Sequence, residues 1–448
     1  MMKMRSRRKS HLLLPTALLQ LLLVALWVYA DSGGQYNLTV TDTTTGAALP
    51  IFATTNGTNP QYVTNYLAID SSMTNSLLFA VDPSLNNVYW DFGHAMDPYT
   101  ANGNSVVETL MTNLPSSITP VTIQSDRTDE NGVDCHTSQT VLQLLPVQIA
   151  IQKQGASAPP TNGVLVKNGD TLQIALNPGL LSGAIAQSDY PFTSSQVAWK
   201  YCQLNGDGTF GAWTSFGSSG NGVMFNYTTA TSGIFQVEAI VTVNGSPLTY
   251  QYVRQQDDPN GKDSTGTLNT IYKKGQPDYF GVVDNQWQID VRNKAVAQLG
   301  STAYAKAGSL VPPIYPGAPT FAGDYKCNIF VYMMCNAAGD APVPLVTHTS
   351  WGGLGTTYSV PPNAKTWYQG TISGWTSLGT PTSPQPGEVI SRPEYSIFGG
   401  VIGGHSGIVD YDGAWINAGT DNVNRYPNIT PSGNPYNNPE HCSSYTGP

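Results

Sequence analysis

Short runs that alternate apolar and polar residues dominate the first 256 positions of the chain. Tyr36-Asn37-Leu38-Thr39-Val40 is one of them, and with its Asn-Gly and Asp-Pro turn signals the span 31–142 reads as a β-rich region without a repeat or a catalytic grouping. Over 143–256 the alternation sharpens into Val147–Ile151, Thr171–Leu176, Val197–Tyr201 and Gly233–Val241. Asn168-Gly169-Asp170, Asn205-Gly206-Asp207-Gly208 and Asn244-Gly245 punctuate these runs, and Trp199 sits near the middle, as in a β-sandwich. A polar stretch over 257–283 reads as a linker, and after it the period changes. Trp287, Val291, Ala295 and Leu299 recur every four residues, which predicts a helix with Asp284 as its N-cap and Gly300 as its stop. A second helix is expected to begin near Cys327, with Phe330, Val331, Met334 and Ala338 completing its apolar face and Gly339 ending it. Strand signals follow at Glu388–Ile390, Gly407–Asp410 and Ala414–Asn417, so that residues 284–448 have an α+β layout.

Composition agrees with many turns and several cores. Only 11% of the 448 residues are charged, whereas Gly and Pro number 45 and 32, and 9 Trp and 24 Tyr supply bulk for packing. General disorder is thereby excluded. Five of the 20 basic residues (Lys3, Arg5, Arg7, Arg8, Lys9) precede an apolar run from Leu12 to Val28 and the small-residue pattern Val28-Tyr29-Ala30. Residues 1–30 therefore read as a signal peptide cleaved after Ala30, which places the protein in the cell envelope or outside the cell. Uncut, the same run is close to the length of a membrane anchor. Beyond the leader, 15 basic residues face 29 acidic ones, and no basic stripe remains to bind nucleic acid.

The chemistry concentrates in the C-terminal third. Cys327 stands where the second helix begins, and a helix N-terminus favours the thiolate. Its bland alternative is a buried structural cysteine. Cys335, eight residues on, lies roughly 12 Å further along the helix, too far for a disulfide. With five cysteines in all, Cys335–Cys442 and Cys135–Cys202 are the natural bridges, and Cys327 remains a thiol. His405, in Gly403-Gly404-His405-Ser406-Gly407, is the best base, and Asn417 follows twelve residues later as a polar group able to hold its tautomer. Strand parity adds a constraint. A three-residue turn Tyr411-Asp412-Gly413, with Gly413 at positive φ, sets Asn417 opposite Gly407 and diagonal to His405, whereas a two-residue turn sends Asn417 to the other face. His94, His136, His348 and His441 read as isolated, hydrogen-bonded or loop and tail residues, and Trp351, Trp367 and Trp375 as either a ligand-binding wall or core. No grouping has metal-ligand spacing, so neither a metal nor another cofactor is implied.

Two resemblances extend this reading. The span 143–256 resembles immunoglobulin-like modules of bacterial surface proteins. Residues 284 to about 425 resemble the NlpC-type cell-wall peptidases, compact relatives of papain, through four segments in order. These are Ala295–Tyr304, Asp324-Tyr325-Lys326-Cys327-Asn328-Ile329, Gln385-Pro386-Gly387-Glu388-Val389-Ile390, and Gly404–Val409 with Trp415-Ile416-Asn417. Lys-Cys-Asn-Ile stands where the family usually has Asp-Cys-Ser-Gly, Pro-Gly-Glu where it has Pro-Gly-Asp, and Asn417 where His is commoner; the related CHAP-type amidases favour such variants. The resemblance implies a papain-like fold and acyl transfer by Cys327, His405 and Asn417, with Tyr304 steadying the nucleophile or oxyanion. Peptide or amide bonds of peptidoglycan are the implied substrate. The rival expectations are a surface adhesion protein with an inactive papain-like domain, and a transferase on the same fold.

Overall fold

The computed structural model describes most of residues 38–250 and 279–447. The leader, 251–278, 307–325, 350–356, 396–400, 427–440 and several shorter stretches, mostly in the first region, lie outside the described residues. The expectations for the signal peptide, His94 and Trp351 therefore fall outside them. The chain forms two compact units, divided near Leu144–Leu145 apart from two short excursions of the second into the first. Among the described residues no helix is long and apolar enough to cross a membrane.

The first unit is built of β-strands. One antiparallel sheet orders Thr39–Asp42, Ser76–Ala80, Ser105–Leu110 and Met96–Asp97. The other orders Phe52–Thr55, Val63–Asp70, Asp134–Val147, Thr119–Thr128, Asn86–Asp91 and Thr100–Asn102. Alternation does what period-2 patterning requires: Leu77 and Phe79 turn inward while their neighbours are part-exposed. Phe79 meets Phe92 at 4.9 Å between ring centroids, and Phe92 stacks on Trp90 at 5.6 Å.

The second unit opens with the expected sandwich. A three-stranded sheet (Ala150–Lys153, Thr171–Ala175, Met224–Thr228) accompanies a larger one that orders Val164–Lys167, Tyr279–Val283, Gly233–Val243, Val197–Gln203 and Thr214–Ser215. Trp199 is wholly buried and its ring lies 5.6 Å from Phe225. The strand Tyr279–Val283, within the span read as a linker, is an inner strand of this sheet, parallel to Val164–Lys167 and antiparallel to Gly233–Val243. All five of its residues are buried, because both its faces are covered.

Beyond it an antiparallel sheet orders Trp375–Gly379, His441–Tyr445, Val389–Tyr395, Val401–Val409, Trp415–Ala418 and Val423–Tyr426. Two helices, Gln286–Val296 and Cys327–Ala338, pack Trp287, Val291, Phe330 and Met334 against Val389, Ile408 and Ile416 on one face. The other face (Ile390, Val409, Trp415, Cys442) packs against Leu204 and Ile234 of the sandwich. Burial on both faces explains why Trp415–Ala418 shows no alternation at all.

Several expectations need correction. The first helix starts at Gln286 with Asn285 as N-cap, whose N–H donates to the Gln288 side chain at 2.9 Å. It ends at Val296, so Leu299 lies beyond the apolar face and is 38% exposed. Asp284 instead bonds Ser232 of the sandwich and accepts from the Gln385 side chain at 2.9 Å. Neither expected disulfide forms, since Cys202, Cys327, Cys335 and Cys442 are all buried thiols. Cys335 belongs to the core under the helices and Cys442 to the core on the opposite side of the sheet, so the sheet itself separates them.

Candidate active site

The second helix runs from Cys327 to Ala338 and stops at Gly339, whose φ of +88° no other residue type adopts easily. Lys326 is the N-cap residue, and its buried ammonium donates to the Ala305 carbonyl at 2.6 Å, tying the helix start to the segment after the first helix. Cys327 is thus the first helical residue, with the free backbone N–H groups of a helix N-terminus around it. It is 4% exposed.

The structure brings Cys327, His405 and Asn417 together. His405 Nε2 and Asn417 Oδ1 are 3.0 Å apart, which makes Nε2 the donor nitrogen and leaves Nδ1 for the thiol. Burial alone would push the Cys327 thiol up. The charge of His405 and the hydrogen bonds from the imidazole and from Ser406 together outweigh it, and the thiol is lowered to about 7. For His405, burial and the Arg392 charge pull down, while the thiolate and the Asn417 hydrogen bond pull up; the net direction is up. Both shifts favour a thiolate–imidazolium pair at the start of the helix.

The hairpin that carries the base and its partner has the three-residue turn that parity requires. Asp410 N–H donates to Ala414 O at 2.7 Å, Gly413 N–H donates to Asp410 O at 3.1 Å, and Gly413 has φ +82°. Ile408 pairs with Ile416 and Val409 with Trp415, which sets Asn417 opposite Gly407. A Cβ at Gly407 would come within 2.7 Å of the Ile416 carbonyl and 3.2 Å of Asn417 Cβ, so only glycine lets the two strands approach this closely. The His405 ring meets Trp415 edge-on at 5.3 Å.

Tyr304, expected to steady the nucleophile, packs edge-on against Phe330 at 5.3 Å, one turn along the helix from Cys327. Burial raises its phenol, and its ring packs on the helix's apolar face. Trp367 and Trp375 meet at 5.0 Å inside the core and form no ligand wall. His348 lies in a two-stranded ribbon, in strand Val346–Thr349, and not in a loop. His441 belongs to an inner strand of the sheet and stacks on Tyr368 at 3.9 Å, so it is no exposed tail residue. Among the described residues no three His, Cys, Asp or Glu side chains gather as a metal site requires.

Sequence reasoning missed an ion network under the turn. Arg292 Nε meets Asp410 Oδ1 at 2.7 Å, and Arg425 Nη2 meets Asp410 Oδ2 at 2.6 Å and Asp412 Oδ2 at 2.9 Å. Burial works against the Asp410 carboxylate, yet the two guanidiniums hold it below the usual range. The available signal was Asp410-Tyr411-Asp412, two acids in an otherwise apolar hairpin, facing an arginine on the apolar-periodic helix. Glu388, in the Pro-Gly-Glu turn, was missed as well. It is buried, accepts the Gln385 N–H at 3.0 Å, and is pushed up to about 8 by burial, with Asp284 adding to the rise.

No family model and no curated protein matches the chain. Among solved structures it is similar to fibronectin(III)-like modules of CbhA from Clostridium thermocellum, with 11% identity over 41% of this chain and 85% of that one, at a TM-score of 0.14. The C-terminal domain of the antigen I/II-family protein AspA from Streptococcus pyogenes matches with 12% identity over 48% and 97%, at a TM-score of 0.15. The C-terminal domain of the AgI/II polypeptide BspA from Streptococcus agalactiae matches with 9% identity over 47% and 96%, also at 0.15. Superpositions this poor carry no argument about the fold or the site.

Proposed function

We propose that the chain is an exported cysteine hydrolase whose C-terminal α+β region is papain-like and cuts peptide or amide bonds in peptidoglycan. The observation that carries the chemistry is the Cys327 thiol at a helix start against a His405 ring whose other nitrogen is 3.0 Å from Asn417 Oδ1. The substrate class and the export rest on the sequence resemblance and the leader.

The reaction runs in two halves. The Cys327 thiolate attacks the scissile carbonyl, forming a C–S bond, and the carbonyl electron pair moves onto oxygen. The Cys327 N–H, at the positive end of the helix, is placed to donate to that oxyanion. Collapse breaks the C–N bond, and the imidazolium Nδ1–H gives its proton to the leaving amine. Neutral His405 then takes a proton from water, whose oxygen attacks the thioester; the acid leaves, and the thiolate–imidazolium pair returns. Asn417 holds the ring throughout by accepting from Nε2–H.

Digestion of purified peptidoglycan by the full chain, with the products identified by mass, tests this reading. A new amine and carboxyl terminus per cut, absent with Cys327→Ala, is the expected result. Intact peptidoglycan with both proteins would overturn the substrate assignment, and equal cutting by both would overturn the nucleophile. A product carrying an added amine in place of water would identify a transferase.

A further inference from the structure

The turn between His405 and Asn417 is seated in the sandwich. Tyr411, its first residue, is 6% exposed. Its ring covers Gly163, at the entrance to the sandwich strand Val164–Lys167, so closely that a Cβ there would be driven into the ring. On strand Tyr279–Val283, a Cβ at Gly281 would lie 3.4 Å from Tyr411 Cα. Gly413, the last turn residue, lies under Leu204, with Ile234 beside it. From the C-terminal side, Arg292 and Arg425 stand 5.4 and 5.2 Å from the Tyr411 ring centroid, and both reach Asp410. The turn is therefore gripped from two directions, by apolar contacts from the sandwich and by buried charge from the helix and the last strands.

This grip has leverage on the chemistry. His405 lies six residues before Tyr411, and Asn417 six after, on strands that leave the turn in one register. Cores and interfaces of this density shift in discrete steps and do not deform smoothly. A displaced turn would move the imidazole, its Asn417 partner, or both, away from the thiol.

We propose that the sandwich is a positioning element of the catalytic site, and that Gly163, Leu204 and Ile234, none of them in the C-terminal region, are positioning residues for its reaction. The proposal rests on the cysteine-hydrolase reading. It makes the working unit the sandwich together with the C-terminal region. Cut near residue 260, the sheet would expose Ile390, Val409, Trp415 and Cys442, and the turn would lose its seat.

Two glycine variants of the full chain separate contact from backbone strain. Gly163 has φ +82° and faces Tyr411, whereas Gly155 has φ +83° and nothing within 4 Å of its notional Cβ. Gly163→Ala and Gly155→Ala therefore impose the same strain, but only the first pushes the turn. Two quantities are read in each: amide hydrogen exchange at Asp410, Gly413 and Ala414, and the pH titration of the Cys327 thiolate by its ultraviolet absorbance. Gly163→Ala should speed exchange at these amides by about tenfold or more. It should also move the thiol from about 7 towards the ordinary thiol range, because the imidazolium no longer faces it. Gly155→Ala should change neither. If Gly163→Ala does not fold, Leu204→Ala, which uncovers Gly413 without touching Gly163, must give the same two changes. A wild-type Cys327 that titrates as an ordinary thiol would overturn the hydrolase reading and this inference with it. A lowered wild-type thiol that neither Gly163→Ala nor Leu204→Ala moves would overturn this inference alone.

Discussion

One hairpin holds both Asp410 and His405, and their proton affinities are shifted in opposite directions. At its turn, Asp410 has two guanidiniums within 2.7 Å, and its carboxyl is held well below the usual range. Along its strands, His405 faces a thiol and a neutral amide, and the thiol settles at about 7. Asp410 is buried and His405 partly so, and desolvation opposes charge on both, so desolvation does not distinguish scaffold from chemistry. Counter-charge does. A carboxylate paired with two arginines, which stay charged, does not exchange its proton near neutral pH, whereas a thiol balanced by a single titratable partner can. Glu388 is a third case, buried with no cation beside it among the described residues and pushed up to about 8.

The contrast breaks if Cys327 proves structural or Asp410 proves catalytic. Cys327→Ala should lower turnover by roughly 10³-fold or more while leaving stability within about 1 kcal/mol, as judged by product release and urea melts. A Cys327→Ala protein that unfolds easily would make the cysteine a packing residue. Asp410→Asn should do the reverse in kind. It takes the carboxylate from between Arg292 and Arg425 and should cost about 3–5 kcal/mol in the same melts, because two guanidiniums, one of them buried, lose their shared counter-charge.

The remaining two variants sharpen the comparison. The wild-type rate should rise as pH climbs through about 7, where Cys327 ionises, and fall again when His405 loses its proton. Removing the Asn417 acceptor withdraws support from the imidazolium and lowers the His405 pKa. Asn417→Ala should therefore pull the alkaline limb to lower pH and reduce the maximum by about 10²-fold; an unmoved limb would separate Asn417 from the tuning of His405. Glu388 carries the smallest effect. Its folded pKa lies above its unfolded value of 4.5, so its contribution is fully present below 4.5 and is lost as pH rises through about 8. Glu388→Gln should thus stabilise the protein at pH 8 by on the order of 2 kcal/mol and leave it nearly unchanged at pH 4. Equal melting curves at pH 8 would mean that the buried carboxyl finds a cation after all.

The parts of the site legible from sequence were those ruled by local geometry. A helix that begins at Cys327 and stops at Gly339 follows from an apolar face at i, i+3, i+4, i+7 and i+11 and one glycine. The three-residue turn and the facing of His405 and Asn417 follow from counting alternate faces across Tyr411–Gly413. The β-rich sandwich before them is likewise written in alternation and Asn-Gly turns. The disulfides were misread because cysteine spacing says nothing about which side of a sheet a sulfur occupies; Cys335 and Cys442 lie on opposite sides. Leu299 kept the helical rhythm three residues past the last helical residue, where the chain was already turning towards Gly300.

Periodicity, caps and turn chemistry act over a handful of residues, and within that range the sequence alone determined the helix start at the thiol, the base hairpin and its register. Only the tertiary structure decided that Arg292 pairs with Asp410 across 118 positions, or that Tyr279–Val283 joins the sandwich as an inner strand. It alone seats the turn between His405 and Asn417 on Gly163 and Leu204. An arginine on a helix and an aspartate in a hairpin each have many possible partners along a chain, and exposed to water either would be content with none. Burial forces the choice, because a charge sealed into the core must meet its opposite there or not be sealed in at all.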